Sequence, residues 1–191
     1  LFGKDLSKVN YWTAADGSEF PFSSWKVDNG VFQSIGGLAA FQDIKTRDQY
    51  RDFNFSFEFK LLAGGNSGVK YCLDRFDRFA AKGTGGFHIR ARGLEFQLID
   101  DLGHPDAQKG EMKRCGALYN AAGTLKPAVV KLGEFNTAKL VRKGLTIEHW
   151  INGECLLRHQ LNEGRSRESA IALQNHANDV WFRRLSITLG D

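Results

Sequence analysis

The sequence predicts an all-β fold, two antiparallel sheets packed as a jelly-roll sandwich, on three observations. From Phe53 to Lys60 apolar and polar residues alternate without a break, with Phe53, Phe55, Phe57 and Phe59 on one side; a period of two belongs to a half-buried strand. Asn29-Gly30 and Asn152-Gly153 each lie between strand-like runs, the strongest short-range signal for a hairpin. No segment holds a helical period of any length, whereas short extended runs joined by Gly and Asn turns recur throughout, as in sandwiches and barrels.

Taken in order, Leu1 to Val9 is a mixed polar and apolar opening, and Asn10 to Ser24, with Asp16-Gly17 and Pro21, reads as loop. Trp25 to Phe32 predicts two short strands around Asn29-Gly30, and Leu38 to Phe41 a further short one. After the phenylalanine strand, Ala63 to Gly68 is a turn by composition. Val69, Tyr71 and Leu73 then oppose Lys70 and Cys72, and Asp74 to Gly86 reads as a surface excursion. Phe87, Ile89 and Ala91 alternate with His88, Arg90 and Arg92 and lead into Gly93 to Asp101. There Leu94, Phe96 and Leu98 share one face, Glu95 and Gln97 the other. A bulge near Ile99 would bring Asp100 round to join Glu95 and Gln97.

Leu102 to Leu132 is the longest irregular segment, and loops of that length inside a domain are commonly functional. Asn136 to Arg142, Leu145 to Ile151 and Glu154 to Gln160 predict a meander, followed by a polar break at Gly164 to Ser169. Ile171 to His176 alternates, with Gln174 and His176 opposite Ile171 and Leu173, and Val180 to Leu189 closes the chain with Leu185, Ile187 and Leu189 on one side.

At 191 residues the chain is expected to form one domain, residues 1–191. The 26 basic and 22 acidic residues are interspersed, without the basic stripe that phosphate recognition needs, so nucleic acid is not an expected partner. Cys72, Cys115 and Cys155 are widely spaced and form no CxxC pair, which indicates neither a zinc site nor a disulfide framework, and at most one bridge. No apolar run is long enough to span a bilayer and none reads as a signal peptide. The chain starts at Leu1 rather than Met, which leaves export open.

A set of short motifs, in order along nearly the whole chain, resembles one family. They are Leu1-Phe2-Gly3-Lys4-Asp5-Leu6, Trp25 to Gly30, Tyr50-Arg51-Asp52-Phe53, Asn66-Ser67-Gly68-Val69, Glu95 to Asp101, Gly116-Ala117-Leu118-Tyr119, Lys126-Pro127, Glu134-Phe135-Asn136, His149 to Gly153, Ile171 to His176 and Phe182-Arg183. The family is the 3-keto-disaccharide hydrolase family, formerly a domain of unknown function, whose fold is a concanavalin-like jelly roll similar to that of lectins and glucanases. Three departures stand out: no Asn between Phe2 and Gly3, Phe135 where the family favours Trp, and no Arg shortly after Asn66-Ser67-Gly68, with Lys70 the nearest base. The resemblance implies cleavage of glycosides already oxidised at C3, beside a separate oxidoreductase, by a protein exported to the periplasm or beyond.

Such chemistry needs a base for the C2 proton, a stabiliser for the enolate oxygen and an acid for the leaving group. Glu95, Asp100 and His176 are the acid-base candidates. Gln97, Gln174, Lys70 and Arg183 are candidates to bind hydroxyls or developing charge, with Tyr119 and Trp150 to stack on a sugar ring. Glu95 and Asp100 would equally suit a conventional two-carboxylate glycosidase, although the Glu-x-Asp-x-x-Glu pattern of jelly-roll glucanases is broken here by Gln97 and by Asp100. A non-catalytic, lectin-like carbohydrate module is the reading from another class. No cofactor is required; Asp100, Asp101, His104 and Asp106 form the one acidic cluster suited to a divalent cation. His149 shares parity with Leu145, Ile147 and Ile151 and is expected in the core; His88 and His159 are expected at the surface.

Overall fold

The computed structural model describes residues 3–37 and 39–190. Leu1 and Phe2 of the opening segment and Leu38 of the strand expected over Leu38 to Phe41 lie outside the described residues. Thirteen strands occur among those described: β1 (Lys4–Asp5), β2 (Trp12–Ala14), β3 (Trp25–Asp28), β4 (Val31–Ser34), β5 (Ile44–Thr46), β6 (Phe53–Leu61), β7 (Asn66–Ala80), β8 (Phe87–Ile99), β9 (Asn136–Lys143), β10 (Thr146–Ile151), β11 (Glu154–Gln160), β12 (Ala172–Leu173) and β13 (Val180–Leu189). The first sheet runs β11-β10-β9-β6-β13-β4-β3, with β1 also paired to β13; the second runs β2-β5-β12-β7-β8. All pairings within the two sheets are antiparallel.

The period-two pattern decides which side of each strand enters the core. Phe53, Phe55, Phe57 and Phe59 of β6 are buried, and Phe57 meets Phe96 of β8 edge-on at 6.2 Å. Val69, Tyr71, Phe96, Leu98 and Leu173 complete the apolar layer from the second sheet. Both Asn-Gly turns take left-handed backbone at both positions, Asn29 and Gly30 at φ 47° and 75°, Asn152 and Gly153 at φ 49° and 82°; that geometry matches the twist of the strands they join. His149 is fully buried, its ring stacked on Phe96 at 4.0 Å and bonded to the Tyr71 hydroxyl and the Gly116 carbonyl.

Several expectations are corrected. Trp12–Ala14 within the expected loop is a strand, and Ile44–Thr46 adds another that has no period to reveal it. Asp74 to Gly86, expected as a surface excursion, is indeed mostly exposed, but it is ordered as the far half and tip of a long hairpin formed by β7 and β8. The expected bulge near Ile99 is absent: β8 pairs regularly there, and the irregularity lies where Cys72, Leu73 and Asp74 face Gly93 alone. Cys72 is left-handed (φ 49°), and a Cβ on Gly93 would stand 2.6 Å from the Tyr71 carbonyl, so that position takes only glycine. The bulge also turns Leu73 away from the side of Val69 and Tyr71. A second irregularity at Arg183 to Ser186, with Arg184 at φ 51°, carries Leu185 and Ile187 into the core, while Leu189 ends exposed.

Beyond the bulge the hairpin crosses the outer face of its own sheet. β8 and β5 are separated by β7 and β12, yet Ile89 bridges Gln42, and the Asp43 amide donates to the Ile89 carbonyl at 2.8 Å. Ile89 and Ala91 pack there on Ala15, Ala172 and Leu73 in a second, smaller apolar cluster. The second sheet therefore supplies a floor and the returning hairpin a roof.

Candidate functional site

Strand register lays out the floor. On the outer face of the second sheet Ala172, Lys70 and Glu95 form one cross-strand row. Gln174, Gly68 and Gln97 form the next, with the Gln174 amide donating to the Gly68 carbonyl. Of these rows Lys70, Glu95, Gln97 and Gln174, together with Arg90, Arg92, Asn66, Asp106, Tyr119 and His176, line a cleft of about 380 Å³. The structure thus brings together Glu95, Gln97, Lys70, Gln174, His176 and Tyr119 of the residues singled out in the sequence.

The Glu95 carboxylate lies at the centre. With its amide nitrogen turned toward Glu95, Gln97 donates to Oε1 at 3.0 Å and to the Ser67 carbonyl at 3.2 Å. Gln174 Nε2 donates to Oε2 at 3.4 Å, and Lys70 Nζ stands 4.0 Å from the same oxygen. Burial pushes the Glu95 carboxyl above its usual range, and the nearby Lys70 opposes that rise. Gly68 makes the room: a Cβ there would lie 2.8 Å from Glu95 Oε1.

Lys70 is itself buried and held by a residue that sequence reasoning missed. Its ammonium donates to Asp43 Oδ2 at 2.8 Å and to the Ala91 carbonyl at 3.1 Å. Asp43, fully buried, also accepts from the Ala91 amide (3.0 Å) and the Asn175 amide (3.0 Å), so one carboxylate ties the roof, the chain after β12 and the floor lysine together. Buried charges persist when paired and hydrogen-bonded in this way.

At the other end of the cleft His176 lies with its ring 6.2 Å from that of His104. Burial first, and then the nearness of the Arg90 charge, lowers the His176 pKa, which favours the neutral imidazole. The Tyr119 hydroxyl donates to Asp106 Oδ2 at 2.7 Å and accepts from Lys113 at 3.0 Å. Burial alone would raise the Asp106 carboxyl, but Tyr119, Lys109 and Lys113 hold it below the usual range. Arg92 pairs with Asp77 at 2.5 Å. Asn66 and Arg90 were missed alongside Asp43, while Asp106 was singled out only as part of the acidic cluster; Asn66 could have been found, because it opens the Asn-Ser-Gly motif.

Three expected site residues fall elsewhere. Asp100 closes a loop: it accepts from the amides of Gly64 (2.8 Å) and Leu102 (3.0 Å), and backbone donors at Gly64, Gly103 and Leu102 outweigh its burial and hold its pKa low. Trp150 points away from the core because Ile147, His149 and Ile151 of β10 point into it. It therefore lies on the outer face of the first sheet, its indole nitrogen bonded to Glu148 and the Lys139 ammonium 4.3 Å from the ring. Arg183 shares that face, ion-paired with Glu58 at 2.6 Å and stacked over Phe135 at 3.8 Å. The acidic loop does not converge on a cation position either. Asp101 accepts the Cys115 amide, Asp106 holds Tyr119, and no cluster of three or more metal-ligating side chains forms among the described residues. Cys72, Cys115 and Cys155 are all free thiols.

A 3-keto-disaccharide hydrolase from Bacteroides thetaiotaomicron is 25% identical over 98% of this chain and 77% of its own length. A solved Parabacteroides distasonis structure, named as a glycosyl hydrolase, superposes with a TM-score of 0.74 at 25% identity, covering 95% of this chain and 89% of that one. A Bacillus subtilis protein of galectin-like fold superposes with a TM-score of 0.64 over 99% of this chain and 95% of its own, at 12% identity, which speaks for the fold alone. Residues 1–188 match the 3-keto-alpha-glucoside-1,2-lyase-like domain, and the chain belongs to that family.

Proposed function

We propose that this chain is a carbohydrate-active enzyme that cleaves glycosides bearing a ketone at C3, with Glu95 as the base. The observation that carries this reading is the Glu95 carboxylate, half-buried on the cleft floor, raised in pKa by desolvation and fixed by Gln97, Gln174 and Lys70. The family name and the hydrolase relative support the same substrate class.

Glu95 takes the proton from C2, and the C–H electron pair forms the C2–C3 double bond of an enolate. As the ketone re-forms, a C1–C2 double bond appears and the C1–O bond breaks. The departing oxygen takes the proton back from Glu95. Water then adds at C1 of the unsaturated ketone, its proton passing by way of His176 to C2, which completes a net hydrolysis. A raised carboxyl pKa strengthens the base, and a neutral imidazole can accept the proton of water. Without the ketone the C2 proton is not acidic, so an oxidation at C3 must come first.

A two-carboxylate glycosidase fits less well, since Asp100 is engaged with backbone amides away from the cleft. The test is incubation of the purified protein with 3-keto-glucosides, 3-keto-trehalose and their unoxidised parents, followed by NMR. Consumption of the keto compounds alone is expected, with Glu95→Gln inactive but still able to bind. If none is consumed while sugars still bind, the chain is a lectin-like module.

A further inference from the structure

The cations around the cleft are not equivalent. Of those that line it, Lys70 is neutralised by Asp43 and Arg92 by Asp77. Lys70 also uses its donors on Asp43 and the Ala91 carbonyl, with Glu95 the next oxygen at 4.0 Å. Arg90 differs: it forms no ion pair with a carboxylate among the described residues, and its Nε is buried without a hydrogen-bond partner. Its guanidinium lies 5.5 Å from the Phe41 ring centroid, beneath the roof that β8 makes with Gln42 and Asp43.

A second orphan lies in the same cleft. Gln174 is 4% exposed, and while its Nε2 serves Glu95, its Oε1 is buried with no donor facing it. A buried acceptor without a protein donor is unfavourable unless water or a ligand supplies one. The cleft therefore offers one positive group without an ion-pair contact and one acceptor without a protein donor among the described residues. A ligand that satisfies both carries an anionic oxygen and, near it, a hydroxyl.

We propose that Arg90 and Gln174 form the binding site for an enediolate, Arg90 taking the charged oxygen and Gln174 Oε1 accepting from the neighbouring hydroxyl. This rests on the function proposed above, because removing the C2 proton of a 3-keto-glycoside places a hydroxyl on C2 beside an oxyanion on C3. Arg90 is thereby a catalytic residue that stabilises charge as it develops, and Lys70 is a positioning residue for Glu95.

L-Ascorbate, a stable ring enediolate with adjacent O⁻ and OH, is the probe. Anaerobic calorimetric titration of the wild type, Arg90→Gln and Arg90→Lys is compared with titration of neutral glucose. Arg90→Gln is expected to weaken ascorbate at least about tenfold, the worth of a charge-assisted bond, with glucose affinity unchanged and Arg90→Lys intermediate. In turnover of a 3-keto-glucoside, Arg90→Gln lowers kcat more than it raises KM, and added guanidinium restores part of the rate to Arg90→Ala. The proposal is overturned if the wild type does not bind ascorbate, or if all three proteins bind it equally. Equal kcat in wild type and Arg90→Gln overturns this inference alone. A wild type that binds ascorbate through Arg90 but consumes no 3-keto-glycoside overturns the catalytic assignment and leaves an anion site.

Discussion

Gly68 and Glu95 sit in adjacent cross-strand rows, and the hydrogen in place of a side chain at Gly68 is what lets the Glu95 carboxylate lie over β7. A methyl group added there would stand 2.8 Å from Oε1 and 2.9 Å from Cγ. The backbone at Gly68 is ordinary strand, so Gly68→Ala displaces Glu95 without straining the chain. A displacement on the order of 1 Å at a reacting group costs roughly 100-fold in rate. The expected outcome is a kcat lowered about 100-fold with a melting temperature only modestly reduced, measured by steady-state kinetics beside thermal unfolding.

The Glu95 carboxyl gives a pH dependence whose sign follows from burial. Its folded pKa lies above the unfolded value, so the folded state binds more protons across that interval and stability falls as pH rises through it. Glu95→Gln removes this loss. The variant should melt higher than the wild type at pH 7, and the difference should close on acidification below the ordinary carboxylate range. Turnover moves the other way, with an ascending acid limb displaced toward neutral pH, because the base works only when ionised.

Asp43 predicts the opposite response. Asp43→Ala leaves the Lys70 ammonium buried with no anion touching it and deprives the Ala91 and Asn175 amides of their acceptor. Breaking one partner of a buried pair costs about 3–5 kcal/mol. Urea unfolding should show a loss of that size, and replacing both partners, Asp43→Leu with Lys70→Met, should recover only the part owed to the buried lysine, because the Ala91 and Asn175 amides stay without their acceptor.

His149 is the second pH-sensitive group. Burial drives its pKa down from 6.5 to about 3, so between these values the unfolded chain takes up a proton that the folded one refuses. Stability is therefore retained above pH 6.5 and lost on acidification, by about 1.4 kcal/mol per pH unit. In His149→Gln that slope is expected to flatten between pH 6 and about 4; an unchanged slope in denaturant titrations would contradict it.

Much of this was legible in the chain. The phenylalanine alternation of β6, the two Asn-Gly turns, the inward parity of His149 and the shared face of Glu95 and Gln97 each follow from periodicity, a local property. Asp43 was not legible, because it precedes a strand of only three residues, β5, and matters only once the hairpin returns over it. Leu73 changed sides because three residues oppose one at Gly93, which no period of two can announce. For Trp150 the alternation of β10 already said that it points away from the core, but not which sheet's outer surface it would join. Asp100 was placed at the site by a bulge expected near Ile99, which does not form; the Gly64 and Leu102 amides that hold it are a feature of the folded loop.

The bend at Gly93 has a wider consequence. One strand carries Glu95 and Gln97 on one side of the bend and Arg90 and Arg92 on the other, and the far half ends in a tip between Ala80 and Phe87. Trimming or extending that tip by two residues in each limb preserves parity. The depth of the canopy over the cleft can in this way change by whole residue pairs while Glu95 and Gln97 beneath it keep their register.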